Sequence, residues 1–194
     1  MKKCAVCPEE FIQFNSLVKV CSPKCALVLV QKEKEKKWAK EKTVYRKENK
    51  SLNKLTSEAQ AAINKYVRLR DYFDPCIACG GSRAEIEAKQ GWKTGGAWDA
   101  GHFKSRGAHK NLRFNLKNIH KQCKSCNGGS GKFSHKEKIT SEKYEINLIE
   151  KIGADEVEKL KCDQEIRKYS REYLERIKTI FNKKARMQKK RLGI

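Results

Sequence analysis

Residues 99–127 read "DAGHFKSRGAHKNLRFNLKNIHKQCKSCN", and the fold turns on how this stretch ends. It closes on the pair Cys123 and Cys126, and a matching pair, Cys76 and Cys79 in "CIAC", lies upstream. Two C-x-x-C pairs can set four thiolates around one tetrahedral zinc. The residues between them then form a long loop stapled at its base. Large apolar side chains are sparse from 80 to 122. Structural zinc binding is worth roughly 10–16 kcal/mol, so the metal is expected to decide whether that segment folds. Within it, Gly95-Gly96 in "WKTGGAWDAGHF" predicts a turn and then a short strand, with "NLRFNLKNIHKQC" supplying the returning segment.

A second set of cysteines stands at the start of the chain. Cys4 and Cys7 in "CAVC" and Cys21 and Cys25 in "CSPKC" predict another zinc knuckle, with Phe11, Phe14, Leu17 and Val20 as its miniature core. Cys162 is left over and reads as a small, half-buried residue on a helix.

Outside the knuckles the pattern is helical. From Ala26 to Lys50 the chain lacks Gly and Pro and interleaves its charges. A solvated helix with i,i+4 pairs and a basic arm along DNA both fit that pattern. "SLNKLTSEAQ" begins a new helix, with Ser57 and Gln60 at capping-box spacing. Ala59, Ala62, Ile63, Tyr66, Val67 and Phe73 then make one core face, and Asp74-Pro75 ends it. "NGGSGKFSH" reads as a glycine-rich loop, and "SEKYEINLIEKIG" as a helix stopped by Gly153. Ile166, Tyr169, Tyr173, Ile177 and Ile180 recur at helical spacing before "NKKARMQKKR", six basic residues and no acid, expected to grip phosphate and to order on binding. The implied organisation is a knuckle over 1–25, a basic helical region over 26–74, a zinc-stapled core over 75–135, and C-terminal helices with a basic tail over 136–194. The fold class is small, helix-rich α+β.

Charge narrows the partners. The 194 residues carry 45 Lys and Arg against 23 Asp and Glu, a formal net charge of +22. Such a surplus points to a polyanion, nucleic acid first. A membrane partner is not expected, since the longest apolar cluster, "CALVLV", is far too short to span. "MKKCAVCPEE" has no apolar signal segment, so the cytosol, where thiols stay reduced and available to metal, is the expected compartment.

Residues 99–127 also carry candidate chemistry. Cutting a phosphodiester needs an activated water, neutralised phosphate charge and help for the leaving oxygen. A positioned general base supplies about 10²–10⁴-fold, roughly 3–5 kcal/mol, which is too little alone. A metal at the phosphate is therefore expected as well. His102, Asn118, Asn127 and Asp99 are the residues on offer.

A C-x-x-C, a His, an Asn sixteen residues later and a final C-x-x-C-N resemble the HNH endonuclease pattern on a zinc-supported ββα-metal hairpin. Taken with "EINLIEKIGADEVEKL" and "CSPKC", the chain resembles the NinG (Rap) recombination endonucleases of lambdoid phages over nearly its whole length. The resemblance implies that His102 is the general base and that Asn118 orients the base and its loop. It places Asn127 as a ligand of one catalytic Mg²⁺ or Mn²⁺, beside two structural Zn²⁺. Many HNH enzymes have a second metal ligand just before the base, where this chain has Gly101. Asp99, two residues earlier on the same strand face, is the candidate substitute. The resemblance further implies cutting of branched DNA such as Holliday junctions and D-loops, a homodimer suited to two-fold junctions, and phage or host recombination proteins as partners.

Each residue also has a plainer role. Asn118 fits a turn, Asn127 fits a helix cap, and His109, His120 and His135 match no catalytic position. Lys104, Arg106 and Arg113 around the hairpin, with Lys183, Lys184 and Arg186 in the tail, are expected to hold the DNA backbone. The rival of a different class is a non-enzymatic zinc protein that binds nucleic acid and recruits partners. Charge and knuckles fit it equally; the spacing of His102, Asn118 and Asn127 does not.

Overall fold

The computed structural model describes residues 1–128 and 135–194; of the glycine-rich loop expected at 127–135, residues 129–134 lie outside them, and its two ends belong to helices. The chain divides into two units, residues 1–51 and 52–194. The break falls inside the helical region read as 26–74, so its two helices belong to different units.

In the first unit, strands β1 (Lys2–Lys3) and β2 (Glu10–Phe11) pair antiparallel, with Lys2 opposite Phe11. Helix α1 (Pro23–Glu48) starts inside "CSPKC". Ser22 accepts a hydrogen bond from the Cys25 amide and Pro23 occupies the first turn, where a missing N–H costs nothing. None of its residues is buried, as a solvated helix requires. The miniature core does not form as expected. Phe14 is 93% and Leu17 84% exposed, because a loop closed by four thiols needs no apolar centre.

The second unit is built on helix α2 (Leu52–Arg70) and helix α7 (Arg171–Arg191), which pack along each other. Leu55, Ala59, Ile63 and Val67 from α2 meet Leu174 and Ile177 from α7, and Lys178 reaches Glu58 at 2.6 Å. Ser57 does not cap α2, which begins a turn earlier; its hydroxyl donates to the Asn53 carbonyl inside the helix. Phe73 lies beyond the helix end and is exposed. The basic C-terminal residues are not a loose tail. They continue α7, with Ala185 buried and the Lys184 ammonium over the Phe181 and Tyr66 rings. Ile166 is exposed, because the chain between α6 (Ala154–Cys162) and α7 is not helical. Cys162, expected half-buried, is exposed.

Against this pair lies the hairpin of β3 (Trp98–His102) and β4 (Ile119–Cys123), antiparallel, with His102 opposite Ile119 and Asp99 opposite Gln122. The turn before β3 is the expected one, with Gly95 and Gly96 at φ of 79° and 82°, a region that favours glycine. Helix α3 (Arg83–Gln90) precedes it, held by a capping box between Ser82 and Glu85. The short helix α4 (Lys124–Gly128) follows β4 directly. A second core gathers Ile77, Ile86 and Leu112 under Tyr144 and Leu148 of α5 (His135–Ile152) and Val157 and Leu160 of α6. Gly153, at φ 87°, turns the chain from α5 into α6.

Candidate functional site

Four thiols close the base of the hairpin. Cys76 and Cys79 sit on a turn in which Gly80, at φ 70°, donates its amide to the Cys76 carbonyl. Cys123 ends β4 and Cys126 lies on α4. All four sulfurs are within 4.8 Å of one another, as are those of Cys4, Cys7, Cys21 and Cys25. In the first unit Cys7, Cys21 and Cys25 stand 3.4 to 3.7 Å apart. A tetrahedron of sulfurs at the usual zinc–thiolate length of about 2.3 Å has edges close to that spacing. Backbone amides serve the sulfurs too: Cys123 N donates to Cys76 Sγ at 3.2 Å, and Cys21 N to Cys4 Sγ at 3.4 Å. Hydrogen bonds from Cys123 and Cys126 pull the Cys76 thiol down to about 3, while those with Cys123 and Cys76 push Cys126 far up. One proton leaves this cluster readily and the last does not, so a divalent cation is what lets all four ionise. Both sets fit structural zinc.

Next to this cluster, β3 delivers His102. Its Nε2 lies 3.1 Å from the Arg113 carbonyl, which can only accept, so Nε2 carries the proton and Nδ1 keeps a lone pair. Burial pushes its pKa down to about 4, with the charges of Arg106 and Arg113 acting the same way against the carbonyl bond. The imidazole is therefore neutral at pH 7, the state a base needs.

Asn118 is fully buried and precedes β4. Its Oδ1 accepts from the Lys104 amide at 2.8 Å, while Nδ2 donates to the carbonyls of Lys104 and Leu112 at 3.0 and 3.2 Å. It ties together the two ends of the loop that bends Arg113 back to His102. It touches backbone alone in these bonds and so holds the loop's course.

Asp99 and Asn127 meet: Asn127 Nδ2 donates to Asp99 Oδ2 at 3.0 Å. Together with His102 and Ser105 they line a recess of about 340 Å³ whose wall also holds Arg106. His102 and Asn127 also border a neighbouring hollow of about 150 Å³, with Gln122 and Tyr144 on its far side. A carboxylate and an amide oxygen are hard donors of the kind that bind Mg²⁺ or Mn²⁺ with water completing the shell. Gly101 is closed to a ligand, since a Cβ there would fall 1.9 Å from Gln122 Oε1. Gln122 fills that space, leaving Asp99 as the carboxylate on the strand.

The comparisons with known proteins agree with one another. A family model described as Bacteriophage Lambda NinG protein matches residues 1–191. The chain belongs to the NinG family. Protein ninG of Escherichia phage 933W is 32% identical over 201 residues, covering 94% of this chain and 91% of that one. Protein ninG of Salmonella phage P22 is 35% identical and that of Escherichia phage lambda 34%, each over 127 residues and 66% of this chain. These matches span about half of the two relatives, 54% and 53% of their lengths. No solved structure matches the chain.

In this NinG chain the sequence reading missed Asn64. It comes from α2, lines the same recess as Asp99, His102 and Asn127, and accepts a 2.8 Å bond from buried Gln60. No local pattern announces it, because α2 reaches the hairpin only through tertiary packing. His120 has no place in the recess. Arg70 Nη2 donates to its Nδ1 at 3.1 Å, and its Nε2 donates to the Lys117 carbonyl at 3.0 Å, a structural role. Of the six residues expected on DNA, Arg106 borders the recess. Lys104 and Arg113 belong to the loop beside it, and Lys183, Lys184 and Arg186 are exposed along α7. Among the described residues no helix is long and apolar enough to cross a membrane.

Proposed function

We propose that this NinG-family protein is a metal-dependent DNA endonuclease that acts on branched recombination intermediates, such as Holliday junctions and D-loops, in the bacterial host cytosol. The observation that carries the reading is the convergence of Asp99, His102 and Asn127 on one recess, with the tautomer of His102 held by the Arg113 carbonyl. An antiparallel pair followed at once by a short helix bearing Asn127 is the element order expected of a ββα-metal hairpin.

In this reading His102 Nδ1 takes a proton from the attacking water. Asp99 and Asn127 hold the divalent ion, Mg²⁺ or Mn²⁺, which when bound neutralises the phosphate and stabilises the departing 3′ oxygen. Asn118 positions the loop that orients His102. Arg106, Lys104 and Arg113 grip the backbone around the cut, and the α7 lysines extend the grip, a sequence-independent contact suited to reading shape. Two-fold junctions favour a dimer, and phage or host recombination proteins are the partners such a substrate brings.

The test compares wild type with His102→Ala on a labelled four-way junction and a matched linear duplex, with and without Mg²⁺ or Mn²⁺. Binding and zinc content are measured beside cleavage. Wild type nicks the junction only with added metal, and the variant binds it equally well and leaves it whole. If wild type binds junctions and never cuts, or the variant cuts as well, the protein is instead a zinc-containing nucleic-acid-binding and recruitment module.

A further inference from the structure

The loop between α3 and β3 presents an aromatic side chain that nothing in the proposed cleavage chemistry uses. Trp92 is 81% exposed, yet it is held in place: its Nε1 donates to the Lys89 carbonyl at 3.1 Å. The one polar atom of the indole is thus satisfied, and what remains on offer is the ring itself.

The loop beneath it is braced. Lys93 Nζ bonds Gln90 Oε1 at 3.2 Å and Ser125 Oγ at 2.9 Å, and the Ser125 amide bonds the same Gln90 oxygen at 2.9 Å. Lys124 Nζ caps the Thr94 carbonyl. Gly96 donates to the Lys93 carbonyl at 2.8 Å, closing the turn. These bonds tie the Trp92 loop to the helix that carries Asn127, two residues beyond Ser125.

Lys89 and Lys93 neighbour Trp92 in the chain, and Lys124 is bonded to Thr94, two residues beyond it. An ammonium has three donors, so the bracing leaves Lys93 and Lys124 with hydrogens to spare for phosphate. An exposed ring on a braced, lysine-bearing loop is what single-strand binding uses: bases stack on the aromatic face and cations nearby track the backbone. We infer that Trp92 is a stacking platform for an unpaired nucleobase of the DNA, with Lys89, Lys93 and Lys124 on the flanking phosphates. This deepens the DNA reading above. It gives the protein a way to favour branched DNA that carries a single-stranded part, such as a D-loop, over continuous duplex, since duplex has no free base to offer.

The test measures binding, without added divalent metal and with zinc retained, in the His102→Ala background. Three labelled DNAs of matched length serve: a single strand, a duplex with a single-stranded flap, and a continuous duplex. Adding Trp92→Ala weakens single-strand and flap binding by about tenfold, the scale of one lost stacked base, and leaves duplex binding within about twofold. Trp92→Phe keeps most of the affinity, and intrinsic fluorescence quenched by the single strand in the parent is lost in Trp92→Phe. Equal affinities with and without Trp92→Ala, or an equal loss on all three DNAs, would overturn the platform while the nuclease reading stands. Failure of the parent to bind any of the DNAs would sink both.

Discussion

Asn118 clamps Lys104 from both sides, its Oδ1 on the Lys104 amide at 2.8 Å and its Nδ2 on the Lys104 carbonyl at 3.0 Å. The loop between β3 and β4 is pinned at the residue where it leaves the sheet, and His102 stands two residues before that point. Asn118→Ala removes the partner of both half-buried Lys104 groups and of the buried Leu112 carbonyl, at a cost of about 1–3 kcal/mol. Asn118→Asp is worse, because it buries a carboxylate against the carbonyls of Lys104 and Leu112. Urea unfolding of zinc-loaded proteins should rank them wild type, then alanine, then aspartate. An aspartate variant as stable as wild type would mean that the clamp carries no weight.

Acid should weaken the fold through two buried histidines. Burial lowers both His102 and His120 from 6.5 to about 4, so folding favours their neutral forms. Their contribution is whole above pH 6.5 and is lost as pH falls through 6.5 toward 4. At pH 5.5 the loss is roughly 1 kcal/mol per histidine. Unfolding curves between pH 7.5 and 5.5 should show this decline, and His120→Gln should lessen it. An unchanged slope in the variant would assign the decline to other groups.

Gly101 and Gln122 should be coupled. A methyl at 101 would lie 1.9 Å from Gln122 Oε1 and 3.1 Å from its Cβ, which cannot swing away. Gly101→Ala is expected to cost about 1–3 kcal/mol, and less when combined with Gln122→Ala. Additive losses in that double-mutant cycle would contradict the contact.

The two cysteine clusters should fail separately. Cys123→Ser removes a ligand beside the hairpin core and should abolish cooperative melting of residues 52–194, as should chelation. Cys7→Ser should leave that transition in place, since its cluster lies within 1–51. Calorimetry with zinc analysis separates the outcomes. One transition lost in both variants would show that the units are not independent.

Much of this fold was legible because its constraints are local. Cysteine spacing announces both clusters, Gly95-Gly96 announces the turn before β3, and the intervals from His102 to Asn118 and Asn127 survive as the geometry of one hairpin. What stayed hidden depends on packing at a distance. Asn64 reaches the recess because α2 lies beside the sheet, and no window around residue 64 contains that information. Ser57 and Gln60 have capping-box spacing, but the helix was free to start earlier at Leu52. Phe14 and Leu17 look like core residues by hydropathy; where thiols do the closing, they are left outside. The basic residues after Phe181 resemble a tail by charge, yet they continue α7, with Ala185 among them buried.

The pairing of α2 with α7 sets an order of assembly. Glu58 finds Lys178 only after 120 further residues, whereas the cysteines of the second cluster are all present once residue 126 has been made. On the ribosome, at about 5–20 residues per second, the metal-closed hairpin and α2 therefore both exist for some seconds before α7 arrives to complete the core they share. During that interval α2, which brings Asn64 to the recess, is held by the hairpin alone and lacks the cover of Leu174 and Ile177. A nascent chain thus carries Asp99, His102 and Asn127 before the core behind their recess is complete.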